Sequence, residues 1–263
     1  MVCAGRCAAG RARDGDRLEI TLVFAIIVLG ISGIVVGATG FGFALISVPP
    51  LLLLYPPQTV VVIIFSASLL PSLLVVASAW RETDLRLVAR TLPGALLGLL
   101  LGAQILRHAD ANLLKLIAGL FVAVYALLMW RGYRPTRLGG PWAPPLAGVA
   151  SGALGAATGL SGPPIVILLT ARQLARDVFR GTISAYFIAT DIIGLAILFA
   201  GGTVSSREGW LTVILTTPAA LGVLAGNVLA RRLTPVTFRK LTLLLLLATG
   251  LMGMSTALIA LWG

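Results

Sequence analysis

Charged side chains are scarce in this chain: Asp, Glu, Lys and Arg make up 11% of its 263 residues, whereas hydrophobic residues make up 58%. Soluble domains contain about 25% charged and about 45–50% apolar residues. The sequence therefore lacks the polar surface that a water-soluble protein of this length needs. Together with a mean hydropathy of +1.02, this shortage indicates a protein that lies in a lipid bilayer.

Metal-ligating and base-forming side chains are also few. His108 is the one histidine, and the two cysteines, Cys3 and Cys7, complete no metal site at that spacing. The sequence contains no Gly-x4-Gly-Lys-Ser/Thr loop, the motif that would cradle the phosphates of ATP. We expect no metal, no cofactor, no enzymatic activity and no process driven directly by ATP.

Acidic residues are outnumbered, with 9 Asp and Glu against 20 Lys and Arg and a net charge of +11. In a soluble protein this excess would suggest nucleic acid. Here the basic residues lie in short connections between apolar runs, as the orientation signals of membrane proteins do. We therefore expect membrane lipid as a partner, and no nucleic acid.

What the sequence does contain is apolar length. Crossing a hydrocarbon core of about 30 Å takes about 20 residues. Predominantly apolar runs recur at 20–54, 58–79, 87–106, 116–130, 141–171, 181–206, 209–230 and 241–263. They predict an all-α polytopic membrane protein of about eight transmembrane segments. A polar basic leader, 1–17, precedes them, and the long run after it lacks a clean signal-peptidase site, so we expect a retained first helix.

The chain repeats itself internally. Ser32 to Gly40 and Ser151 to Gly159 share Ser-Gly, Ala, Thr and Gly at one offset, and each segment is followed by another glycine and a Pro-Pro pair. Duplication with glycine- and proline-interrupted apolar segments is typical of secondary transporters. The sequence predicts two homologous transmembrane repeats, 18–137 and 138–263.

The distribution of basic residues predicts how the repeats face. If each interrupted segment returns to the side from which it entered, 13 of the 20 Lys and Arg residues fall on one side and seven on the other. If each crosses once, this bias nearly disappears. Because cytoplasmic loops collect Lys and Arg, we favour the first arrangement, in which each repeat contains an odd number of full crossings and the two are inverted.

The glycine interruptions are the predicted substrate site, because unpaired backbone groups at membrane depth are tolerated where they line a cavity. Free amide groups at the start of a short helix bind anions, and threonine and serine hydroxyls add donors. The residues we expect to bind substrate are Thr39, Gly40, Phe41, Gly42, Thr158, Gly159, Ser161 and Gly162. An alternative is that these small residues only let helices pack closely, as we expect for Gly94, Gly98, Gly102, Gly222 and Gly226.

Two charged residues near the predicted helix 181–206 are further candidates. Asp191 lies within an apolar run, where a carboxylate is costly and by default functional, so it could carry a coupling proton or serve as a structural acid. Arg180 precedes the same run and either attracts an anion or marks the cytoplasmic face.

Two other classes of protein remain as alternatives. Gly159-Leu160-Ser161-Gly162 is similar to the Gly-x-Ser-Gly of rhomboid-type intramembrane proteases, but a serine nucleophile needs a base within reach, and His108 precedes the serine in the chain. A membrane-embedded structural subunit would have continuous helices through both interruptions.

Several separated motifs resemble the sulfite exporter TauE/SafE family of bacterial inner membranes. They are Gly37 to Leu45 with Pro49, Gly155 to Pro164, Phe179 to Thr182, Ala185 to Phe187, and Phe238 to Leu241. Many members have Gly-Gly-Gly in the interruption, where this chain has Gly-Phe-Gly and Leu-Ser-Gly. The resemblance implies a multi-pass carrier of about eight segments from a duplicated unit, which exports sulfite or organosulfonates. We expect alternating access, a small anionic substrate and location in the inner membrane, and the sequence leaves a homodimer open.

Overall fold

The computed structural model describes residues 3–132, 140–202 and 206–232, together with Leu244, Ala248 and Leu251. Side chains are described over 21–132, 140–202 and 214–229 and at those three positions. The last predicted segment, 241–263, and the motif at Phe238 therefore lie outside the described residues, apart from those three positions.

Helices account for all regular structure in the described part of the chain. Those before residue 140 are α1 (Cys3–Thr39), α2 (Phe43–Leu51), α3 (Pro57–Ala79), a 3-10 turn (Trp80–Glu82), α4 (Leu85–His108) and α5 (Ala111–Trp130). Those after it are α6 (Ala143–Thr158), α7 (Gly162–Ala171), α8 (Arg176–Ala200) and α9 (Ser206–Arg232).

Five helical segments are long and apolar enough to cross a membrane: Thr21–Thr39, Pro57–Glu82, Leu85–His108, Ala111–Trp130 and Arg176–Ala200. Two shorter apolar helices, Gly162–Ala171 and Ile214–Leu229, accompany them. The prediction of an all-α membrane protein is thus confirmed for the described residues. The count of about eight segments and the duplication stay predictions.

Both predicted interruptions are present, and glycine makes each of them. α1 ends at Thr39, and Gly40 and Gly42 follow with φ of +82° and +99°, while Gly159 ends α6 with φ of +83°. Side chains other than hydrogen are strained in this left-handed region. The amides of Gly40 and Gly159 each return to the carbonyl four residues earlier at 2.7 Å, so both helices end in the same way.

The two Pro-Pro pairs occupy different places. Pro163 and Pro164 stand in the first turn of α7, where a missing N–H costs nothing and the fixed φ suits a helix. Pro49 and Pro50 instead lie in the last turn of α2, which has already begun at Phe43. Pro49 and Pro50 therefore lie at the end of a short helix, whereas Pro163 and Pro164 begin one.

Glycine faces bring α4 against α6 and α1 against α9. A Cβ added to Gly98 would lie 2.8 Å from the amide nitrogen of Ala153, and one added to Gly222 would lie 3.0 Å from the Cα of Gly33. Such close backbone approach requires glycine, which confirms the packing role predicted for these positions. Contacts advance in the same direction along both helices of each pair, so α4 runs parallel to α6.

One end of the bundle gathers basic residues, and we call it the basic end. It carries Arg81, Arg86, Arg90, Arg172 and Arg176. Arg90 on α4, Pro144 at the start of α6 and Arg172 after α7 line one cavity there, so α6 and α7 form a hairpin that opens at this end. At the opposite end, the Gln58 side chain at the start of α3 donates to the Leu106 carbonyl of α4 at 3.2 Å.

The core is built around α3, which packs against α8. Its buried side chains include Val60, Ile63, Ile64 and Phe65. Eight of the nine residues of α2 and six of the ten residues of α7 are buried, so both interruptions lie inside protein, where their backbone groups avoid lipid.

Candidate functional site

A central cavity lies between the two interruptions, α3 and α8. From the interruptions it is lined by Gly40, Phe41, Gly42, Ser161 and Gly162, from α3 by Ile64, Ser68, Pro71 and Ser72, and from α8 by Phe187 and Asp191. Val36 and the first turn of α2, Phe43 to Leu45, complete it. Two segments that are about 120 residues apart in the sequence thus meet at one site.

Three of the eight predicted substrate residues do not line this cavity. The Thr39 hydroxyl contacts the carbonyls of Val35 and Phe41 at 2.8 and 2.7 Å, and the Thr158 hydroxyl donates to the Leu154 carbonyl at 2.8 Å. Both hydroxyl hydrogens are therefore engaged by the backbone. Gly159 faces aliphatic side chains instead of the cavity.

Two serines of α3 were not among the predicted site residues. Ser68 and Ser72 are four residues apart, which places them on one face of the helix, and both line the cavity. The Ser68 hydroxyl donates to the Asp191 carboxylate. A signal was present in the sequence, since these serines flank Pro71, the proline inside the predicted segment 58–79.

Asp191 lies on α8 with 3% of its surface exposed. Ser68 is its hydrogen-bond partner, and within the described ranges no arginine, lysine or histidine forms an ion pair with it. A buried carboxylate without a cation is costly. Asp191 forms part of the cavity wall.

Backbone amides supply the positive side of the cavity. Gly42, Phe43 and Ala44 bring the start of α2 to its wall, and Ser161 and Gly162 bring the start of α7. The first N–H groups of a helix have no acceptor within that helix, and its dipole favours negative charge there. The two helix starts therefore make this wall of the cavity favourable for negative charge.

The central cavity is narrow. About 30 Å³ of it is open to the centres of water molecules, where about 10–15 Å³ is needed for one water. The side chains of Ser72 and Ser161 contact this space and make no hydrogen bond to another described group. The cavity thus admits water in this conformation and must widen to admit a larger anion.

Arg180 lies outside the central cavity, in a wider space at the basic end that we call the vestibule. It is lined by Ser78, Ala79, Glu82, Arg176, Asp177, Arg180 and Asn227 and offers about 400 Å³ to water. The Arg180 guanidinium donates to the Gly37 carbonyl at 2.7 Å and to the Asn227 side-chain oxygen at 2.9 Å.

The geometry does not assemble a serine protease. His108 ends α4 with an exposed side chain and does not line the cavity that Ser161 faces. Nor do three His, Cys, Asp or Glu side chains cluster as metal ligands anywhere in the described ranges. The interruption of α1 and α6 also differs from the continuous helices expected of a structural subunit.

Residues 24–253 match the family described as Sulfite exporter TauE/SafE. The chain belongs to that family. A relative, the probable inner membrane transporter protein TsaS of Comamonas testosteroni, is 28% identical over 180 residues, which cover 65% of this chain and 73% of TsaS. No solved structure matches the chain.

Membership of the TauE/SafE family identifies the chain as a membrane transporter of the bacterial inner membrane. Its substrate is thus a small molecule, and the protease reading is not favoured. A homodimer remains an open possibility, and the expected absence of a cofactor stays a prediction.

Proposed function

We propose that this TauE/SafE protein is a secondary transporter that exports a small oxyanion, sulfite or an organosulfonate, across the inner membrane. The observation that carries the proposal is the convergence of two helix starts and the serines of α3 on one buried cavity. Helix N-termini and hydroxyl groups stabilise anions. The sulfur chemistry rests on the family description alone.

In this proposal the interruptions bind the anion in two ways. Gly40, Phe41, Gly42, Ser161 and Gly162 line the site and contact it directly. The other three residues, Thr39, Thr158 and Gly159, shape the site without lining it. The hydroxyl bonds of the two threonines and the left-handed backbone of Gly159 lie where α1 and α6 end, and the free amides of α2 and α7 follow these ends.

Alternating access is the proposed mechanism, with 18–137 and 138–263 as two inverted repeats behind a leader at 1–17. The packing of the halves supports this: α1 of the first half packs on α9 of the second, and α4 of the first packs on α6 of the second. A twofold axis in the membrane plane that exchanges α1 with α6 and α4 with α9 would turn each of these two contacts into the other.

Asp191 provides a physical reason for proton coupling. An ionised carboxylate and an oxyanion in one narrow cavity repel each other strongly, because the low local dielectric screens them little. A proton on Asp191 removes that repulsion. The anion and the proton would then occupy the site together, and a proton gradient could drive or follow the anion.

Flux through reconstituted vesicles tests the site. We expect the protein to move sulfite or sulfoacetate, and Gly40→Leu or Gly159→Leu to reduce the initial rate at least about 100-fold. Each leucine meets a backbone with φ above +80°, a region that side chains rarely adopt, and a neighbour about 3 Å away.

Gly140→Leu is the matched control, because a Cβ there meets nothing within 4 Å, and it should transport normally. Normal flux in both Gly40→Leu and Gly159→Leu would disprove the site. An absence of flux for every sulfur oxyanion in the wild type would disprove the substrate.

A further inference from the structure

Three side chains on one face of α8 bind the carbonyl end of α1. Arg176, Arg180 and Ser184 follow each other at four-residue spacing, which aligns them along the helix. Their partners are the carbonyls of the α1 end and the adjoining turn: Ala38 at 3.2 Å from Arg176, Gly37 at 2.7 Å from Arg180, and Gly40 at 3.4 Å from Ser184.

Arg180 stands between the two spaces described above. It lines the vestibule, while its stem lies against Gly40, where an added Cβ would be 2.9 Å from its Cγ and 3.0 Å from its Cα. Gly40 lines the central cavity. A solute that passes between vestibule and cavity at this point must pass Arg180.

The equivalent turn in the other interruption is closed differently. A Cβ on Gly159 would meet the Val48 side chain at 3.0 Å and the Ile64 side chain at 3.7 Å. The side chains beside Gly159 are therefore aliphatic, whereas the side chain beside Gly40 is that of Arg180, whose stem meets the glycine and whose guanidinium binds the Gly37 carbonyl. An anion gains nothing from the first contact and a charge-assisted hydrogen bond from the second.

The present partners of Arg180 are poor ligands for a guanidinium. Gly37 and Asn227 offer neutral oxygens, the Asp177 carboxylate is 4.0 Å away with its side chain 60% exposed, and the Arg180 Nε is buried without an acceptor among the described groups. An oxyanion would bind this fork more strongly, with two parallel N–H bonds.

We propose that Arg180 is the gate between the vestibule and the central cavity, and that a small oxyanion opens it by replacing the Gly37 carbonyl and the Asn227 side chain as its acceptors. Arg176 adds a second cation to the vestibule, whose lining also includes the acidic Glu82 and Asp177, so the anion is held by the Arg180 fork and not by the net charge of the vestibule. The anionic ligand rests on the proposed function, whereas the gate itself rests on the contacts of Arg180.

If Arg176 and Arg180 have only a structural role, they cap the end of α1, because the last carbonyls of a helix need donors and cations are favourable there. The two roles differ at Asn227. A cap needs only the Gly37 carbonyl, whereas a gate is held shut by both acceptors, so removing one should make it easier to open.

Transport kinetics of Arg180 and Asn227 variants test the gate. We expect Arg180→Gln to lower kcat/KM for sulfoacetate about 100-fold and Arg180→Lys to restore part of it, because lysine keeps the charge without the planar fork. Asn227→Ala should instead lower KM about fivefold, as expected from the loss of one competing hydrogen bond. Arg90→Gln, an exposed arginine at the same end, should change neither constant.

Thiol labelling tests the gate without transport. In a variant with Cys3 and Cys7 replaced by serine, Ser72→Cys places a thiol in the central cavity. N-ethylmaleimide should label it about tenfold faster when Arg180→Gln or Asn227→Ala is added, and no faster with Arg90→Gln.

Equal labelling rates in all four proteins would overturn the gate even if transport is normal, and an unchanged or raised KM in Asn227→Ala would overturn it in the transport assay. If Arg180→Gln does not fold, Asn227→Ala decides alone, since it keeps the guanidinium. If the wild type moves no oxyanion but the Ser72→Cys proteins differ in labelling rate as expected, the proposed function is refuted and the gate is still supported.

Discussion

Asp191 is the residue that we propose for proton coupling. Its carboxylate is buried beside the anion-compatible amides, and only the Ser68 hydroxyl compensates it among the described residues. We expect a group in that place to influence transport through its charge, since neither its size nor its backbone is unusual. Its effect is therefore separable by an isosteric substitution.

We expect Asp191→Asn to keep anion exchange across the vesicle membrane but to lose acceleration by a pH gradient. The amide has the shape of the protonated acid, so the site stays neutral at every pH and no proton accompanies the anion. Initial rates with and without an imposed gradient of one pH unit measure this.

Asp177→Asn is the control for Asp191→Asn, because Asp177 also lies on α8 but is exposed. It should retain the response to the gradient. If Asp191→Asn responds to the gradient as the wild type does, Asp191 carries no proton and its role is structural.

Most of the buried glycines act in the contacts between pairs of helices. On α4, α6 and α9 the glycines remove side chains so that two backbones approach each other, which replaces the hydrophobic driving force that is absent between helices in lipid. The interruptions use glycine for another reason, a left-handed backbone at Gly40, Gly42 and Gly159.

We expect Gly98→Ala and Gly222→Ala each to lower the Tm of the purified protein by about 2–12 °C. A methyl group at either position meets backbone atoms about 3 Å away or nearer, and overpacking of this kind costs about 1–3 kcal/mol, which corresponds to about 2–4 °C for each kcal/mol at this size. A thermal-shift assay in one detergent suffices.

Gly140→Ala should leave the Tm within about 1 °C of the wild type, since helix packing at the glycine faces is untouched and a Cβ there contacts nothing. Equal Tm values for Gly98→Ala and Gly140→Ala would show that the α4–α6 contact is looser than the structure indicates.

The basic end predicts how the whole molecule is oriented in the membrane. Arg81, Trp142 and Ala175 are exposed there, and His108 is exposed at the opposite end. Cytoplasmic loops collect Lys and Arg, so we infer that the basic end, and with it the vestibule, faces the cytoplasm.

Single cysteines at these four positions, in a background without Cys3 and Cys7, test the orientation. An impermeant thiol reagent added to intact cells should label only His108→Cys, and the other three should react after the membrane is opened. Reaction of Ala175→Cys but not Trp142→Cys in intact cells would contradict the hairpin of α6 and α7.

Composition and spacing determined much of this protein without a structure. The shortage of charge and the apolar length specified the bilayer, because each unpaired polar group in lipid costs several kcal/mol. The interruptions at Gly40 and Gly159 were predicted from the glycines and prolines that break the apolar runs, and Asp191 stood out because it is the one acidic residue in its apolar run.

The tertiary structure decided which side chains meet. Ser68 and Ser72 face Asp191 and the interruptions, Thr39 and Thr158 turn back to their own helices, and Arg180 lines the vestibule instead of the cavity. In a water-soluble protein, an apolar stripe along a helix marks the face that is buried. In a bilayer the lipid and the protein interior are both apolar, so the pattern along a helix does not tell which face is buried, and only the packing of distant segments does.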